Sequence, residues 1–344
     1  MEPIPIMLDA LQSLRNIADP FTGCDLIEQG SVKTCQMLES GVLNLNLELG
    51  YPLNQTQQDF FETYLKTKLN KKINLKINSV IRRHVVQNDL PLSKRVKNTI
   101  AVASGKGGVG KSTVALNLAL SLLEQGLKVG LLDADIYGPS QPTLLQHQGR
   151  KALINGQSLE PIEYLGLQTM SISYLMEEES PVIWRGPMVS SALQQMFHQT
   201  AWPDLDYLII DMPPGTGDIA LSLVQKIPVT GALIITTPQE LAVMDAKKAL
   251  AMFLKTGVKV LGVVENMSSF HCQHCSHAHA VFGSGGGQAL AEAYQVPLLA
   301  QIPLEHSAEK LKASYQELAL KTTARLSLQP RAKSLAFMTV SINS

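Results

Sequence analysis

The sequence predicts an α/β fold: a parallel sheet flanked by helices, preceded by a small α+β domain. Three observations carry this reading. From residue 99 onward, short all-apolar runs alternate with stretches of helical period, as buried parallel strands and their crossover helices require. A glycine-rich segment, Gly105-Lys106-Gly107-Gly108-Val109-Gly110-Lys111-Ser112-Thr113, joins the first such strand to the first such helix. Upstream of residue 92 the texture differs, with leucines alternating with polar residues as in half-buried strands.

In the first part of the chain, Ile4, Leu8, Leu11 and Leu14 mark one face of a helix that ends before Asp19-Pro20. Leu43, Leu45, Leu47 and Leu49 form an alternating strand, a helix follows from Gln55 to Leu69, and a second alternating strand runs from Ile73 to Ile77. Residues 1–91 are read as this accessory domain, the polar and basic stretch 92–98 as a linker, 99–330 as the main domain and 331–344 as a tail.

Thr99-Ile100-Ala101-Val102-Ala103-Ser104 is short and apolar, and Val114 to Leu123 is apolar at helical spacing. The segment between them satisfies G-x-x-x-x-G-K-[ST], the phosphate-loop pattern. Gly105, Gly107, Gly108 and Gly110 let the backbone close around phosphates, so that successive N–H groups, those of Val109 and Thr113 included, and the positive helix end face the anion. Lys111 is expected to reach the β and γ phosphates of ATP, and Ser112 to offer its hydroxyl to Mg2+. The domain is therefore expected to be a P-loop NTPase.

Ligands of open parallel sheets sit at the carboxyl ends of the strands. Val129-Gly130-Leu131-Leu132 ends in Asp133-Ala134-Asp135, and Tyr207-Leu208-Ile209-Ile210 ends in Asp211, placed to hold Mg2+. Met212-Pro213-Pro214-Gly215-Thr216-Gly217-Asp218 follows, and there Gly215 can present an amide to the γ phosphate. Two further apolar strands, 231–236 and 260–264, are separated by a helix from Glu240 to Lys255.

Of four cysteines, Cys272 and Cys275 form a C-x-x-C pair after the last of these strands. Two thiolates share one metal centre but do not complete a zinc site or a cubane cluster. A two-fold axis near this loop would gather four thiolates from two chains. An intrachain zinc site recruiting His277 and His279, a thiol redox pair, and two inert cysteines are the other readings.

Lys106, the additional lysine within K-G-G-V-G-K-S-T, gives the loop its resemblance to the deviant phosphate-loop ATPases, which include septum-site, chromosome-partition, arsenite-pump and nitrogenase iron proteins. That resemblance implies a homodimer in which Lys106 crosses to the partner's phosphates, Asp135 orients the attacking water, Asp133 lies near Mg2+, and Asn266 meets the adenine edge. A closer resemblance rests on Asp135-Ile136-Tyr137-Gly138-Pro139-Ser140, Trp184-Arg185-Gly186-Pro187-Met188, the Asp211–Asp218 segment, Glu265-Asn266-Met267-Ser268 and the C-x-x-C in this order. Over roughly residues 97–310 the chain is similar to the Mrp-type iron–sulfur cluster carrier proteins. This implies ATP hydrolysis coupled to a [4Fe-4S] cluster bridged across a homodimer by Cys272 and Cys275, apo iron–sulfur proteins as recipients, and other cluster-assembly factors as further partners.

Asp19-Pro20, Gly23, Asp25, Gly30 and Val32 resemble the accessory domain fused ahead of such carriers, with Tyr51-Pro52 where some relatives carry Cys-Pro. Cys24 and Cys35 are given no metal role. The chain has 344 residues with 29 basic and 29 acidic side chains, a net charge of zero that argues against broad binding to nucleic acid or anionic membrane. No run approaches the ~20 apolar residues of a membrane span and Met1-Glu2-Pro3 opens no secretory leader, so a cytoplasmic protein is expected.

Overall fold

The computed structural model describes residues 12–175, 186–272, 274–275, 277–305 and 308–332. Ile4, Leu8, Leu11, Trp184, Arg185 and the tail beyond residue 332 lie outside the described residues.

The small domain is a three-stranded sheet. Strand β1 (Val32–Met37) runs antiparallel to β2 (Leu43–Leu49), and β3 (Ile73–Ser79) pairs parallel to β2. Helix α1 (Gln55–Leu69) makes the β2-to-β3 crossover and starts at a capping box in which Asn54 and Gln57 bond reciprocally. The alternation of β2 buries all four of its leucines, and they pack with Leu14, Leu26, Tyr51, Phe61 and Leu65. Tyr51 donates its hydroxyl to buried Asp19 at 2.6 Å, so the residue before Pro52 is a structural tie of this core.

Strand β4 begins at Val96 and runs to Ser104, so Val96, Lys97 and Asn98 of the stretch 92–98 are strand and not linker. Neighbouring side chains explain the difference. Lys97 pairs with Asp206 at 2.7 Å, and the Asn98 side chain bonds the backbone of Arg82 and His84.

The large sheet has the order β13-β12-β11-β4-β10-β5-β9-β8, with β14 (Leu298–Leu304) also pairing β12. Its parallel body comprises β4, β5 (Val129–Asp133), β9 (Leu167–Ser171), β10 (Leu205–Asp211), β11 (Gly231–Thr236), β12 (Val260–His271) and β14. The hairpin partners β8 (Ile162–Tyr164) and β13 (Ala278–His279) are antiparallel additions. The two-stranded β6 (Ile154–Asn155) and β7 (Ser158–Leu159) stand apart.

Both faces of the sheet are covered. Ala101, Leu208, Ile210 and Ile234 face one cluster, built with helices α4 (Gly186–Gln199), α5 (Asp218–Lys226), α6 (Glu240–Lys255) and α7 (Gly286–Ala293). Ile100, Val102, Tyr207, Ile209 and Leu233 face the other, built with α2 (Lys111–Glu124) and α8 (Ala308–Ser327). The period-2 assignment of neighbouring residues to opposite faces is what a doubly covered strand requires.

Among the described residues, helix α8 and the connecting segment both join the domains. Helix α8 gives Tyr315 and Leu318 to the large core and Leu320 and Ala324 to the small one. In the connecting segment, buried Gln87 donates to the carbonyls of Val224 and Ile227 at 2.6 and 2.8 Å and accepts from the Val229 N–H. It thereby caps the end of α5, whose first turn follows the Pro213-Pro214-Gly215 segment.

Candidate functional site

The carboxyl ends of β4, β5 and β10 meet at one edge of the sheet, and the chain leaving β4 turns through residues 105–110 into α2. Two glycines are dictated by geometry. A Cβ at Gly105 would lie 2.0 Å from the Asp245 carbonyl carbon, so only glycine lets α6 approach the loop. Gly110 caps α2 at φ 81°, and a Cβ there would meet the Asn266 amide at 2.2 Å. Gly105→Ala is expected to displace the loop, lowering stability by roughly 1–3 kcal/mol and weakening nucleotide binding, as thermal unfolding and nucleotide titration of the same protein would report.

A cleft of about 560 Å³ opens over the loop, the size of a small-molecule site. Lys106, Gly107, Gly108, Gly110, Lys111, Ser112 and Thr113 line it together with Asp135, Gly138, Pro139, Ser140 and Pro214. Val109 is buried beneath the loop, and Gly105 stands at its start.

Behind the cleft is a buried polar hub. Lys111, 6 % exposed, pairs through Nζ with Oδ1 of Asp211, which is 0 % exposed. Gln141, first residue of the short helix α3 (Gln141–Leu144) and 1 % exposed, donates from Nε2 to the other Asp211 oxygen at 2.8 Å and to the Ser112 carbonyl at 2.9 Å. Asp133 sits opposite Asp211 in the β5–β10 register. Its oxygens accept from the N–H groups of Asp135 (3.1 Å) and Gln141 (3.2 Å) and from the Ser171 hydroxyl (3.2 Å).

Burial, followed by the neighbouring Asp211 charge, pushes the Asp133 carboxyl up to about 7. Burial also raises Asp135, against the pull of Lys111. The donor set fits a hydrated Mg2+: a serine hydroxyl, buried carboxylates, and the Gln141 Oε1, a buried acceptor with no partner among the described residues. Ser112 lines the cleft, and Gln141 bonds both its carbonyl and the Asp211 carboxylate behind it.

Two expected contacts differ in this arrangement. The Gly215 N–H donates to the Ser104 carbonyl at 2.9 Å, so it ties the segment after β10 to the end of β4 and does not face the cleft. Asn266 directs its amide to the Val109 carbonyl at 2.9 Å, which makes it a brace under the loop. The cause is that β12 continues past Val264, carrying Asn266 within a strand beside the loop.

That continuation also builds the cysteine site. β12 ends at His271 and pairs with β13 through Phe270 with His279 and His271 with Ala278, and the Cys272 N–H donates to the His277 carbonyl at 3.0 Å. Cys272 and Cys275 therefore stand at the tip of a β-hairpin, the first half-exposed and the second exposed. The backbone N–H of Cys275, then that of His274, then the Cys275 side chain hold the Cys272 thiol below its ordinary range, favouring the thiolate that binds metal. No helix N-terminus is needed for this.

His277 and His279 stack edge to face at 4.9 Å, and His271 lies 3.5 Å from Glu305. Among the described residues no three His, Cys, Asp or Glu side chains gather as a metal site. Cys35 is buried in the small domain, where burial raises its thiol, and Cys24 is half-buried.

Gln141 and Ser171 escaped the sequence reading. A glutamine before Pro142 at a helix start reads as surface, and its burial is produced by α2 and β10, which are remote in sequence.

A strand, glycine loop and helix, with buried lysine and aspartate at the carboxyl ends of parallel strands, define a P-loop NTPase. The chain belongs to the NUBPL iron-transfer P-loop NTPase family, also described as ParA, whose profile matches residues 95–336. The iron–sulfur cluster carrier protein of Haemophilus influenzae is 47% identical over 300 residues, 85% of this chain and 80% of that protein. The carrier protein of Escherichia coli is 57% identical over 213 residues, 62% of this chain and 58% of its own length. The mouse iron–sulfur cluster transfer protein NUBPL is 46% identical over 231 residues, 66% of this chain and 72% of that protein. Among solved structures, a nucleotide-binding protein from Archaeoglobus fulgidus in complex with ADP, with cobalt, aligns at a TM-score of 0.55 and 38% identity, covering 67% of this chain and 88% of that one.

Proposed function

We propose that this chain hydrolyses ATP at loop 105–113 and, as a homodimer, carries a [4Fe-4S] cluster on Cys272 and Cys275 of each subunit for delivery to apo iron–sulfur proteins. The observation that carries the reading is the single strand β12: Asn266 braces the phosphate loop, and five residues later the strand ends at the cysteine hairpin. A change in the loop therefore has a short, hydrogen-bonded route to the cluster ligands.

In this reading Lys111 leaves Asp211 for the β and γ phosphates, and Ser112 and Asp211 hold Mg2+. Bound there, Mg2+ neutralises charge on the transferred phosphoryl group. Asp135, at the cleft wall with the N–H groups of Gly138 and Tyr137 on its carboxylate, orients the attacking water. Gly215 reaches a phosphate only after its bond to Ser104 is exchanged, a step that ATP binding would drive. Asn266 acts on the nucleotide through the loop backbone.

Lys106 lines the cleft, and among the described residues no carboxylate pairs with it, which leaves its ammonium free to cross to the partner's phosphates. Lys106→Ala is expected to keep ATP binding measurable and to impair hydrolysis. A verified heterodimer of Lys106→Ala and Asp135→Ala chains should recover one competent site, provided the two residues act from opposite subunits. Absence of recovery argues against the composite site.

All four cysteines are free thiols, as in the reducing cytoplasm where we place the protein. Among the described residues no helix is long and apolar enough to cross a membrane. The direct test is anaerobic reconstitution with iron and sulfide, read by absorbance, electron paramagnetic resonance and metal content. One cluster per two chains, transferable to an apo acceptor, is the expected result. Stoichiometric zinc with refusal of iron would replace the carrier reading with a zinc-stabilised scaffold.

A further inference from the structure

We propose that Gln141 is a positioning residue that makes nucleotide affinity depend on Mg2+, an assignment that rests on the nucleotide reading above. Three bonds converge on it. Both N–H groups of its side-chain amide are used, one on Asp211 at 2.8 Å and one on the Ser112 carbonyl at 2.9 Å, and its backbone N–H donates to Asp133 at 3.2 Å. The neutral side chain thus ties the segment after Asp135 to the strand-end carboxylate of β10 and to the first turn of α2, and the backbone N–H of the same residue ties it to the strand-end carboxylate of β5.

The neutrality of the amide matters. Asp211 shares its two oxygens between Lys111 and Gln141. When Lys111 turns to a phosphate, Gln141 is the donor that keeps the buried carboxylate satisfied and oriented, since an unpaired buried carboxylate is costly. A lysine or arginine at 141 would supply the donors together with a positive charge that opposes a divalent cation.

The remaining atom of the amide points the same way. Oε1 of Gln141 is buried and has no partner among the described residues, although it belongs to the group that contacts both Ser112 and Asp211. A buried acceptor without a donor is uncommon. Water bound to a cation at Ser112 and Asp211 is a donor of the kind it lacks, and partners that orient metal ligands in this way tune metal affinity.

The experiment titrates the full chain with a fluorescent ADP analogue in excess Mg2+ and again in EDTA, for the unchanged protein and for Gln141→Leu. Leucine keeps the approximate volume and removes the amide. The variant is expected to lose about tenfold or more of the affinity gained from Mg2+, the usual scale for removing a partner of a metal ligand, while its affinity in EDTA stays within about twofold of the unchanged chain. A purely structural role would weaken both titrations alike.

Gln141→Met, which is also uncharged and of similar length and loses both donors to Asp211 and Ser112, is expected to show the same selective loss and serves if the leucine variant does not fold. Equal weakening in both titrations, or none in either, would overturn the Gln141 assignment alone. An unchanged chain that bound no nucleotide, or bound it without regard to Mg2+, would overturn the nucleotide reading and this assignment with it.

Discussion

Lys111→Ala is expected to abolish ATP hydrolysis, with kcat falling by at least about 10²–10³-fold, the scale for removing one fixed group that stabilises transition-state charge. The lysine is the first residue of α2 and almost fully buried, so its ammonium is held at the mouth of the loop by packing. Backbone N–H groups survive the substitution. They are partial charges, however, and cannot replace a full positive charge on the transferred phosphoryl group.

The substitution has a second effect, because it removes the ion-pair partner of buried Asp211 and leaves Gln141 as its remaining side-chain donor. Breaking a buried pair from one side is costly, so some loss of thermal stability accompanies the loss of turnover. Lys111→Met, which retains the apolar stem, separates the two: it should recover part of the stability and none of the activity. Phosphate release at the rate of the unchanged chain in purified Lys111→Ala protein would remove the loop from the mechanism.

The sequence made the parallel sheet legible where the physics is local. Buried strands such as Thr99–Ser104 and Tyr207–Asp211 are apolar between their end residues because both faces are covered, and the phosphate loop is legible because its glycines, lysine and serine recur at a fixed spacing, although the steric demands on Gly105 and Gly110 come from Asp245 and Asn266, remote in the sequence. β9 and β14 were not read. Leu167-Gln168-Thr169-Met170-Ser171 and Leu298-Leu299-Ala300-Gln301-Ile302-Pro303-Leu304 mix polar residues into the strand, which positions toward a sheet edge tolerate.

Long-range bonds were similarly hidden. The burial of Gln141, the brace from Asn266 to Val109 and the occupation of the Gly215 amide by Ser104 are all tertiary facts. No local pattern announces them. The extension of β12 to His271 has the same character: Met267 at φ 55° and the irregular pairing with β14 interrupt the period that would have marked one continuous strand.

Cys272→Ala and Cys275→Ala are each expected to lose cluster binding and cluster transfer, while Cys24→Ala and Cys35→Ala retain both. The argument starts from the count of ligands. One hairpin offers two thiols, and among the described residues no other metal-ligating cluster stands near enough to complete a four-iron centre. Two hairpins across a two-fold axis offer four, so loss of either cysteine leaves two thiolates for four irons. The backbone N–H groups of Cys275 and His274 that favour the Cys272 thiolate remain after Cys275→Ala, which makes ligand count, and not thiol ionisation, the property that variant tests.

ATP hydrolysis should survive better than cluster binding in Cys272→Ala and Cys275→Ala, since in the proposed reading the phosphates are held by loop 105–113 and the cluster by the hairpin that follows β12. Metal content, absorbance after anaerobic reconstitution, and activation of an apo acceptor are measured on the same preparations as ATP turnover. A protein lacking both Cys272 and Cys275 that still assembled one cluster per two chains would show that the ligands lie elsewhere. The hairpin would then be a structural feature of β12 with no part in carrying iron.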